Sequence, residues 1–120
     1  MAVRKVSNST GDRKELQGGS FLIELLTQKT VGSKKAMLGI SVFKPGFRTK
    51  NIVHSEEELA YVLKGKGKII TADGVLEVNE GEALYIPAGA PHIVWNDSDS
   101  EVIMVYVFTY PEYPPTQVLD

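Results

Sequence analysis

Short apolar runs rich in β-branched residues recur along most of the chain, and a turn signal closes almost every one. The runs are FLIELLT (21–27), AMLGISVF (36–43), LAYVL (59–63), KIIT (68–71), VLEV (75–78), ALYI (83–86), HIVW (92–95) and EVIMVYVF (101–108). The segments between them carry Gly, Pro, Asn or Asp, the residues that turns prefer. This pattern predicts an all-β domain, a sandwich or a barrel, built from short antiparallel strands.

Two stretches need separate interpretation. The segment HSEEELAYVLK (54–64) is the strongest candidate for a helix, but its apolar positions do not follow a helical period and KGKG follows it, so we predict a strand. The segment KGKGK (64–68) lacks the pattern of a phosphate-binding loop. We therefore predict a hairpin there, with lysines that face solvent and discourage edge pairing.

The length of 120 residues favours one domain. We expect an N-terminal arm or edge strand over 1–18, a barrel over 19–110 and a proline-rich C-terminal tail over 111–120 that runs across the surface. The absence of cysteine excludes thiol catalysis, thiolate metal ligands and disulfides. A net charge of −2 gives no reason to expect nucleic acid or an anionic membrane as a partner. The N-terminus lacks the apolar core of a signal peptide, so we expect a cytoplasmic protein.

The chain contains two histidines, and each lies in unusual surroundings. His54 precedes the run EEE, whose last residue, Glu58, stands at the entry to an apolar strand. A carboxylate aimed into a core needs a partner, usually a metal ion or another cation. His92 follows the turn PAGAP, where two prolines restrict the backbone and Gly89 permits a sharp bend. Rigid placement of an imidazole favours a ligand over an incidental core residue.

Two motifs surround these residues. Gly46, His54, Glu58 and Gly65 fit the pattern G-x5-H-x-H-x3,4-E-x6-G at every spacing, although Ile52 stands at the first histidine position. The second pattern, G-x5-P-x-G-x2-H-x3-N, is matched without a gap or a substitution by Gly81, Pro87, Gly89, His92 and Asn96. Together, in this order and over residues 46–96, they resemble the two motifs of the cupin superfamily.

The resemblance implies a single-domain, antiparallel cupin jelly-roll β-barrel, commonly a homodimer, with a divalent metal ion inside it. Carried over position by position, the metal ligands are His54, Glu58 and His92. Because isoleucine cannot coordinate, the ion would have two imidazoles and one carboxylate, a set that suits Fe, Mn, Ni or Zn. The alternative is a barrel without a metal, in which both histidines are satisfied core residues and Glu58 pairs with Arg48 or Lys50.

Four further residues are candidates for binding a substrate. If the stretch RTKNIVH is a regular strand, Arg48, Lys50 and Ile52 face the same side as His54. A cation at the barrel mouth would suit a carboxylate or phosphate, although both cations are also typical rim residues. Tyr106 could supply a hydroxyl to the pocket, whereas we expect most of the other aromatic residues to pack in the core or at a dimer interface.

Three functions remain open. The first is a metal-dependent enzyme that acts on a small metabolite through a carbonyl, enol or carboxylate oxygen, with oxygenase-type chemistry favoured over isomerase or lyase chemistry. The second is a non-catalytic cupin that binds a small molecule and has lost its metal, as the apolar Ile52 would suit. The third, a metal-free sugar epimerase, normally needs a His–Asp pair, and no Asp lies beside His54 or His92 in the sequence.

Overall fold

The computed structural model describes residues 1–119, and its regular structure is almost entirely β. In that range the strands are β1 (Asp12–Glu15), β2 (Phe21–Leu26), β3 (Met37–Phe43), β4 (Asn51–His54), β5 (Glu58–Lys64), β6 (Lys66–Thr71), β7 (Gly74–Asn79), β8 (Ala83–Ile86), β9 (His92–Trp95), β10 (Val102–Phe108) and β11 (Thr116–Leu119). A short helix, α1 (Gln28–Val31), and a 3-10 turn at Gln17–Gly19 complete it. Neither helical segment within residues 1–119 has the length and apolar character needed to cross a bilayer.

The strands form two antiparallel sheets. The larger has six strands in the order β1-β2-β3-β10-β5-β8, and the smaller has five in the order β11-β4-β9-β6-β7. Strands that follow one another in sequence often lie in different sheets, as expected of a jelly roll. The prediction of an all-β, antiparallel jelly-roll barrel is confirmed.

Strand β10 shows how the sequence positions the core. Val102, Met104, Tyr106 and Phe108 are buried, while the residues between them are half-buried. Because successive side chains of a strand point to opposite faces, every second residue of β10 faces the smaller sheet. These side chains join one apolar cluster that includes Ile69 of the smaller sheet.

The KGKG segment corrects one prediction. The segment 54–64 does contain a strand, β5, as expected, but β5 does not pair with β6 after the turn. Instead the chain crosses from one sheet to the other at Gly65, whose φ is 84°. A Cβ at this position would lie 2.2 Å from the carbonyl oxygen of Glu101, so the crossing needs glycine. Lys64 and Lys66 on either side are exposed, as predicted.

Both ends of the described chain add edge strands. Within the N-terminal segment, β1 pairs with β2, and after the prolines β11 pairs with β4. The proline-rich segment after residue 110 is thus more than a surface tail, because residues 116–119 extend the smaller sheet. The final residue of the predicted tail, Asp120, lies outside the described residues.

Candidate functional site

A cavity of about 140 Å³ lies between the two sheets. Most of its wall is aliphatic or aromatic, and the stacked rings of Phe43 and Phe47 form part of it. The polar residues of the wall are His54, Glu58, His92, Tyr106, Tyr113, Ser41 and Thr49. Lysine and arginine are absent from the described residues that line it. The cavity is therefore an apolar pocket in which a few polar side chains converge, the usual form of a small-molecule site.

The three predicted metal ligands meet in this cavity. His54 ends β4, Glu58 begins β5 and His92 begins β9, so three strand termini bring them together. Their ligand atoms lie within 4.8 Å of one another. The two histidines are only 3% and 2% exposed. The three ligand atoms are thus close enough to one another that they could hold one divalent ion.

The tautomer of His54 is set by the far end of the chain. The hydroxyl of Thr116 donates to the carbonyl of Pro114 at 3.0 Å, so it accepts from Nδ1–H of His54 at 2.8 Å. The lone pair of His54 is then on Nε2, which lies 3.5 Å from Oε1 of Glu58. An outer hydrogen bond of this kind fixes the ring and exposes the other nitrogen as a ligand.

The tautomer of His92 is set by the turn that precedes it. Nδ1 of His92 lies 2.9 Å from the carbonyl oxygen of Ala90, which can only accept, so this nitrogen carries the proton. Gly89 has a φ of 79°, and its N–H donates to the carbonyl oxygen of His54 at 2.9 Å. The turn thus leaves Nε2 of His92 available as a ligand. Its backbone also forms a hydrogen bond with the backbone of His54.

Burial perturbs the charges of all three residues. It lowers the pKa of His54 to about 4, with a further contribution from the charge of His92, and it lowers the pKa of His92. Burial also raises the pKa of Glu58 to about 7. The 3.5 Å contact between His54 and Glu58 is accordingly not an ion pair at neutral pH, because the imidazole there is uncharged. Two neutral imidazoles beside a destabilised carboxylate form a site that a divalent cation would compensate.

The other predicted substrate residues divide into two groups. Ile52 and Tyr106 line the cavity. Among the residues just before β4, however, Thr49 lines the cavity. Arg48 and Lys50 do not line it, and both are exposed. The regular strand begins only at 51, so the alternation that would place 48 and 50 beside His54 is interrupted. The guanidinium carbon of Arg48 lies 4.9 Å from the ring centroid of Trp95, on the outside.

Two residues of the site were not predicted from the sequence. Tyr113 packs edge-on against His54, with ring centroids 5.8 Å apart, and against Phe108 at 5.1 Å. Thr116 supplies the hydrogen bond described above. Both belong to the proline-rich segment, where the aromatic residues among the prolines of TYPEYPP were the available signal.

Asn96, the last residue of the second motif, has a structural role. It is 1% exposed, and its amide nitrogen donates to the carbonyls of Phe43 at 2.9 Å and Ser100 at 2.8 Å. Its side-chain oxygen accepts from the backbone N–H of Ser98 at 3.0 Å. Asn96 therefore holds the loop between β9 and β10 in place and does not face the three ligands.

Comparison with known proteins agrees with these motifs. The family model described as Cupin domain matches residues 39–108. Auxin-binding protein 4 of Zea mays is 32% identical in an alignment 96 residues long that covers 72% of this chain and 46% of the relative. Polyketide synthase CurC of Streptomyces cyaneus is 30% identical in an alignment 89 residues long that covers 73% of this chain and 58% of the relative. This chain thus spans about half of the length of these curated relatives.

A solved structure matches almost the whole chain. The polyketide cyclase RemF of Streptomyces resistomycificus superposes with a TM-score of 0.85 over 99% of this chain and 87% of its own. The two sequences are 22% identical, so this likeness describes the fold alone.

Proposed function

This chain belongs to the cupin family, and we propose that it is a small metal-dependent enzyme whose divalent ion is held by His54, Glu58 and His92. The observation that carries the proposal is the convergence of three ligand atoms within 4.8 Å in a buried and mainly apolar cavity. Both histidines already donate Nδ1–H elsewhere, which leaves Nε2 of each ring to coordinate.

The donor set fits one divalent ion of the Fe, Mn, Ni or Zn group. Two imidazoles and a carboxylate leave coordination positions open for a substrate, and the fit does not depend on a fourth protein ligand. Ile52 lines the cavity where the motif has its first histidine, so that side of the site is apolar. Burial raises the pKa of Glu58 because it destabilises the charged carboxylate, and a bound cation would stabilise that charge.

The substrate of the proposed enzyme is a small metabolite that presents an oxygen to the ion. The ion would supply Lewis-acid or oxygen-activating chemistry. The apolar walls exclude water from the reacting atoms and orient the rest of the substrate. Within this class we favour oxygenase-type chemistry over isomerase or lyase chemistry, because three protein ligands leave room for two further reactants. The name of the relative CurC, a polyketide synthase protein, supports a carbonyl-bearing substrate.

One observation favours a second candidate function, a non-catalytic barrel that binds a small molecule without a metal. Ile52 lies in register with His92 across β4 and β9, so an apolar side chain sits directly beside a proposed ligand. The auxin-binding protein among the relatives is named for binding. A metal-free site would nevertheless leave the carboxyl group of Glu58 buried beside two neutral imidazoles, with no cation to compensate its charge.

We also propose that the protein is a homodimer. The outer face of the six-stranded sheet exposes Leu59, Tyr61 and Tyr85, at 46%, 45% and 56%. Leu59 pairs with Tyr85 on one side and with Val107 on the other, so the apolar side chains are contiguous across three strands. Exposed apolar patches of this kind mark protein interfaces. A second copy would cover this face and leave the cavity, on the opposite face of the sheet, unobstructed.

The first experiment is elemental analysis of protein purified without chelator. Near-stoichiometric Fe, Mn, Ni or Zn in wild type, lost in His92→Ala, is the expected result. Ile52→Val is the matched control, because it alters the same cavity without touching a ligand atom and should keep the metal. Absence of metal from wild type after incubation with Fe(II) and Zn(II) would overturn the metal site and favour the binding barrel.

A further inference from the structure

Residues 1–6, MAVRKV, form a segment that packs little against the rest of its own chain. The segment has no regular secondary structure. Met1 and Val3 are fully exposed, and Arg4 and Lys5 are exposed as well. Neither of these two cations has a salt-bridge partner within residues 1–119. We call these residues the 1–6 segment, and its apolar and basic side chains are available for contact with another molecule.

A groove of about 370 Å³ opens between β7 and β8, which are edge strands of the two sheets. Leu76 lies on the same side of β7 as Val78, which is 5% exposed. Leu76 is nevertheless 52% exposed, because it lines this groove and the larger sheet does not cover it. We call this space the edge groove. Its apolar wall and the free edge of β7 within residues 1–119 favour an extended segment as the occupant.

Charge is strongly segregated along the chain, and it is complementary at these two places. All 13 lysine and arginine residues precede residue 69. Beside the edge groove, β7 and the turns at its two ends carry four exposed carboxylates, those of Asp73, Glu77, Glu80 and Glu82. These carboxylates have no salt-bridge partner within residues 1–119. The acidic groove therefore matches a segment that carries Arg4 and Lys5.

The 1–6 segment cannot reach the edge groove of its own chain. The six-stranded sheet has β1 at one edge and β8 at the other, so five strand spacings, about 24 Å, separate them. The chain before β1 is held in a turn by a hydrogen bond from the N–H of Gly11 to the carbonyl oxygen of Ser7 at 2.9 Å. From Ser7, Val3 extends at most about 14 Å, whatever precedes it. Only the groove of another molecule is accessible to it.

The proposed homodimer brings the segment and the groove together. If the outer faces of two six-stranded sheets pack around a two-fold axis along the strands, the β1 edge of each copy lies at the β8 edge of the other. Stacked sheets are about 10 Å apart, a distance that the chain between Ser7 and Val3 can span. By the same symmetry, each copy provides one segment and receives one.

We propose that the edge groove of each copy binds the 1–6 segment of a second copy. In an extended segment Met1 and Val3 share one face, and this face contacts Leu76. Arg4 and Lys5 then lie among the carboxylates around β7. The proposal goes beyond the proposed enzyme and adds a contact to the proposed homodimer.

This contact would also border the proposed metal site of the partner. Four residues line both the edge groove and the cavity: Ile69, Leu84, Ile86 and His92. A segment bound in the groove thus packs against the outer side of the cavity wall, and assembly of the dimer would cover that wall from solvent.

A pair of engineered cysteines tests the contact, because the chain contains no cysteine of its own. The double variant Val3→Cys/Leu76→Cys is oxidised with diamide at micromolar concentration, and the linked peptides are identified by mass spectrometry. A covalent dimer joined between positions 3 and 76 is the expected product. Val3→Cys/Val118→Cys is the matched control, because Val118 is 55% exposed but lies on β11, the far edge of the smaller sheet. Its 3–118 link should form about tenfold less, since no contact raises the local concentration.

Charge reversal tests the complementarity independently. Arg4→Glu/Lys5→Glu should weaken dimerisation about three- to tenfold in sedimentation equilibrium at about 0.05 M salt, and much less at about 0.5 M. Addition of Asp73→Lys/Glu77→Lys to the same chain should restore the affinity. Lys34→Glu/Lys35→Glu, which changes the net charge equally at two exposed lysines outside the segment, should leave the affinity close to that of wild type.

Three results would overturn the inference: a monomer closed by an internal 3–76 disulfide, as much 3–118 as 3–76 linkage, or equal weakening by the two charge reversals. Failure of the homodimer is read separately, from the mass of wild type. A dimer without the 3–76 link overturns this contact alone, whereas a monomeric wild type overturns both. The metal content decides the proposed enzyme independently of all these results.

Discussion

Thr116 on β11 accepts the Nδ1–H of His54 on β4 at 2.8 Å, and this contact turns Nε2 of His54 toward Glu58. The hydroxyl can accept because its own hydrogen is already donated to the carbonyl of Pro114. A residue in a strand that looks peripheral thus controls the orientation and tautomer of a proposed metal ligand.

Replacing Thr116 with valine should therefore weaken metal binding. Valine keeps the shape but cannot accept from Nδ1–H, so His54 loses its fixed tautomer, and the expected loss of affinity is about 10- to 100-fold. Competition with a chromophoric chelator measures the affinity. Thr116→Ser, which keeps the hydroxyl, should restore it to near the wild-type value. Equal affinity of the valine variant and wild type would show that the contact plays no part in metal binding.

Replacing Ile52 with histidine should strengthen metal binding. Ile52 lines the cavity and lies in register with His92, at the position where the cupin motif has its first histidine. A third imidazole there would add a ligand, and we expect at least a tenfold gain in affinity for zinc or nickel in the same competition assay. Ile52→Val should leave the affinity unchanged. A histidine variant with weaker binding would mean that position 52 points away from the ion.

Replacing Glu58 with glutamine should stabilise the metal-free protein at alkaline pH. Burial raises the pKa of Glu58 from 4.5 to about 7, so the folded state binds its proton more tightly than the unfolded state does. Stability from this group is fully present below about pH 4.5 and is lost as the pH rises through 7. With a chelator present, Glu58→Gln should exceed wild type by roughly 1–3 kcal/mol at pH 8 and match it near pH 4.5.

Urea unfolding at both pH values measures this difference. The groups that face Glu58 are the same in both proteins: His54 and His92, whose pKa values are lowered, and Tyr106 and Tyr113, whose pKa values are raised. Their own titration therefore largely cancels in the comparison. A glutamine variant that is less stable at pH 8 would contradict the buried-carboxyl interpretation.

Replacing Leu59 with lysine should convert the proposed dimer into a monomer. Leu59 is 46% exposed at the centre of the apolar outer face, so a lysine there adds a charge to the interface and little strain to the free chain. Size-exclusion chromatography with light scattering gives the mass. Val75→Lys is the control, because Val75 is also an exposed apolar residue but lies on β7 of the other sheet. Wild-type protein that elutes as a monomer would contradict the proposal directly.

The sequence predicted the all-β fold because that depends on local signals, and its resemblance to the cupin motifs predicted that His54, Glu58 and His92 share one site. Alternation within runs such as 101–108 reports which face is buried, and the two motifs fix the spacing of His54, Glu58 and His92. Alternation failed at Arg48 and Lys50, since it holds only inside a regular strand and β4 begins at 51. The crossing at Gly65 resembles a hairpin in sequence because both need a glycine with positive φ. Thr116 and Tyr113 contact His54 from about 60 residues further along the chain. A pattern among neighbouring residues cannot predict a contact over that separation.

The pairing of β11 with β4 also has a kinetic consequence. β11 is an edge strand with exposed side chains, and edge segments of this kind open and close many times while the rest of a sheet stays intact. Each opening would release the hydroxyl of Thr116 from His54 and draw Tyr113 away from the cavity. The rate at which an ion or a small molecule exchanges with solvent would then follow the local opening rate of this strand, and amide protons of β11 would report that rate.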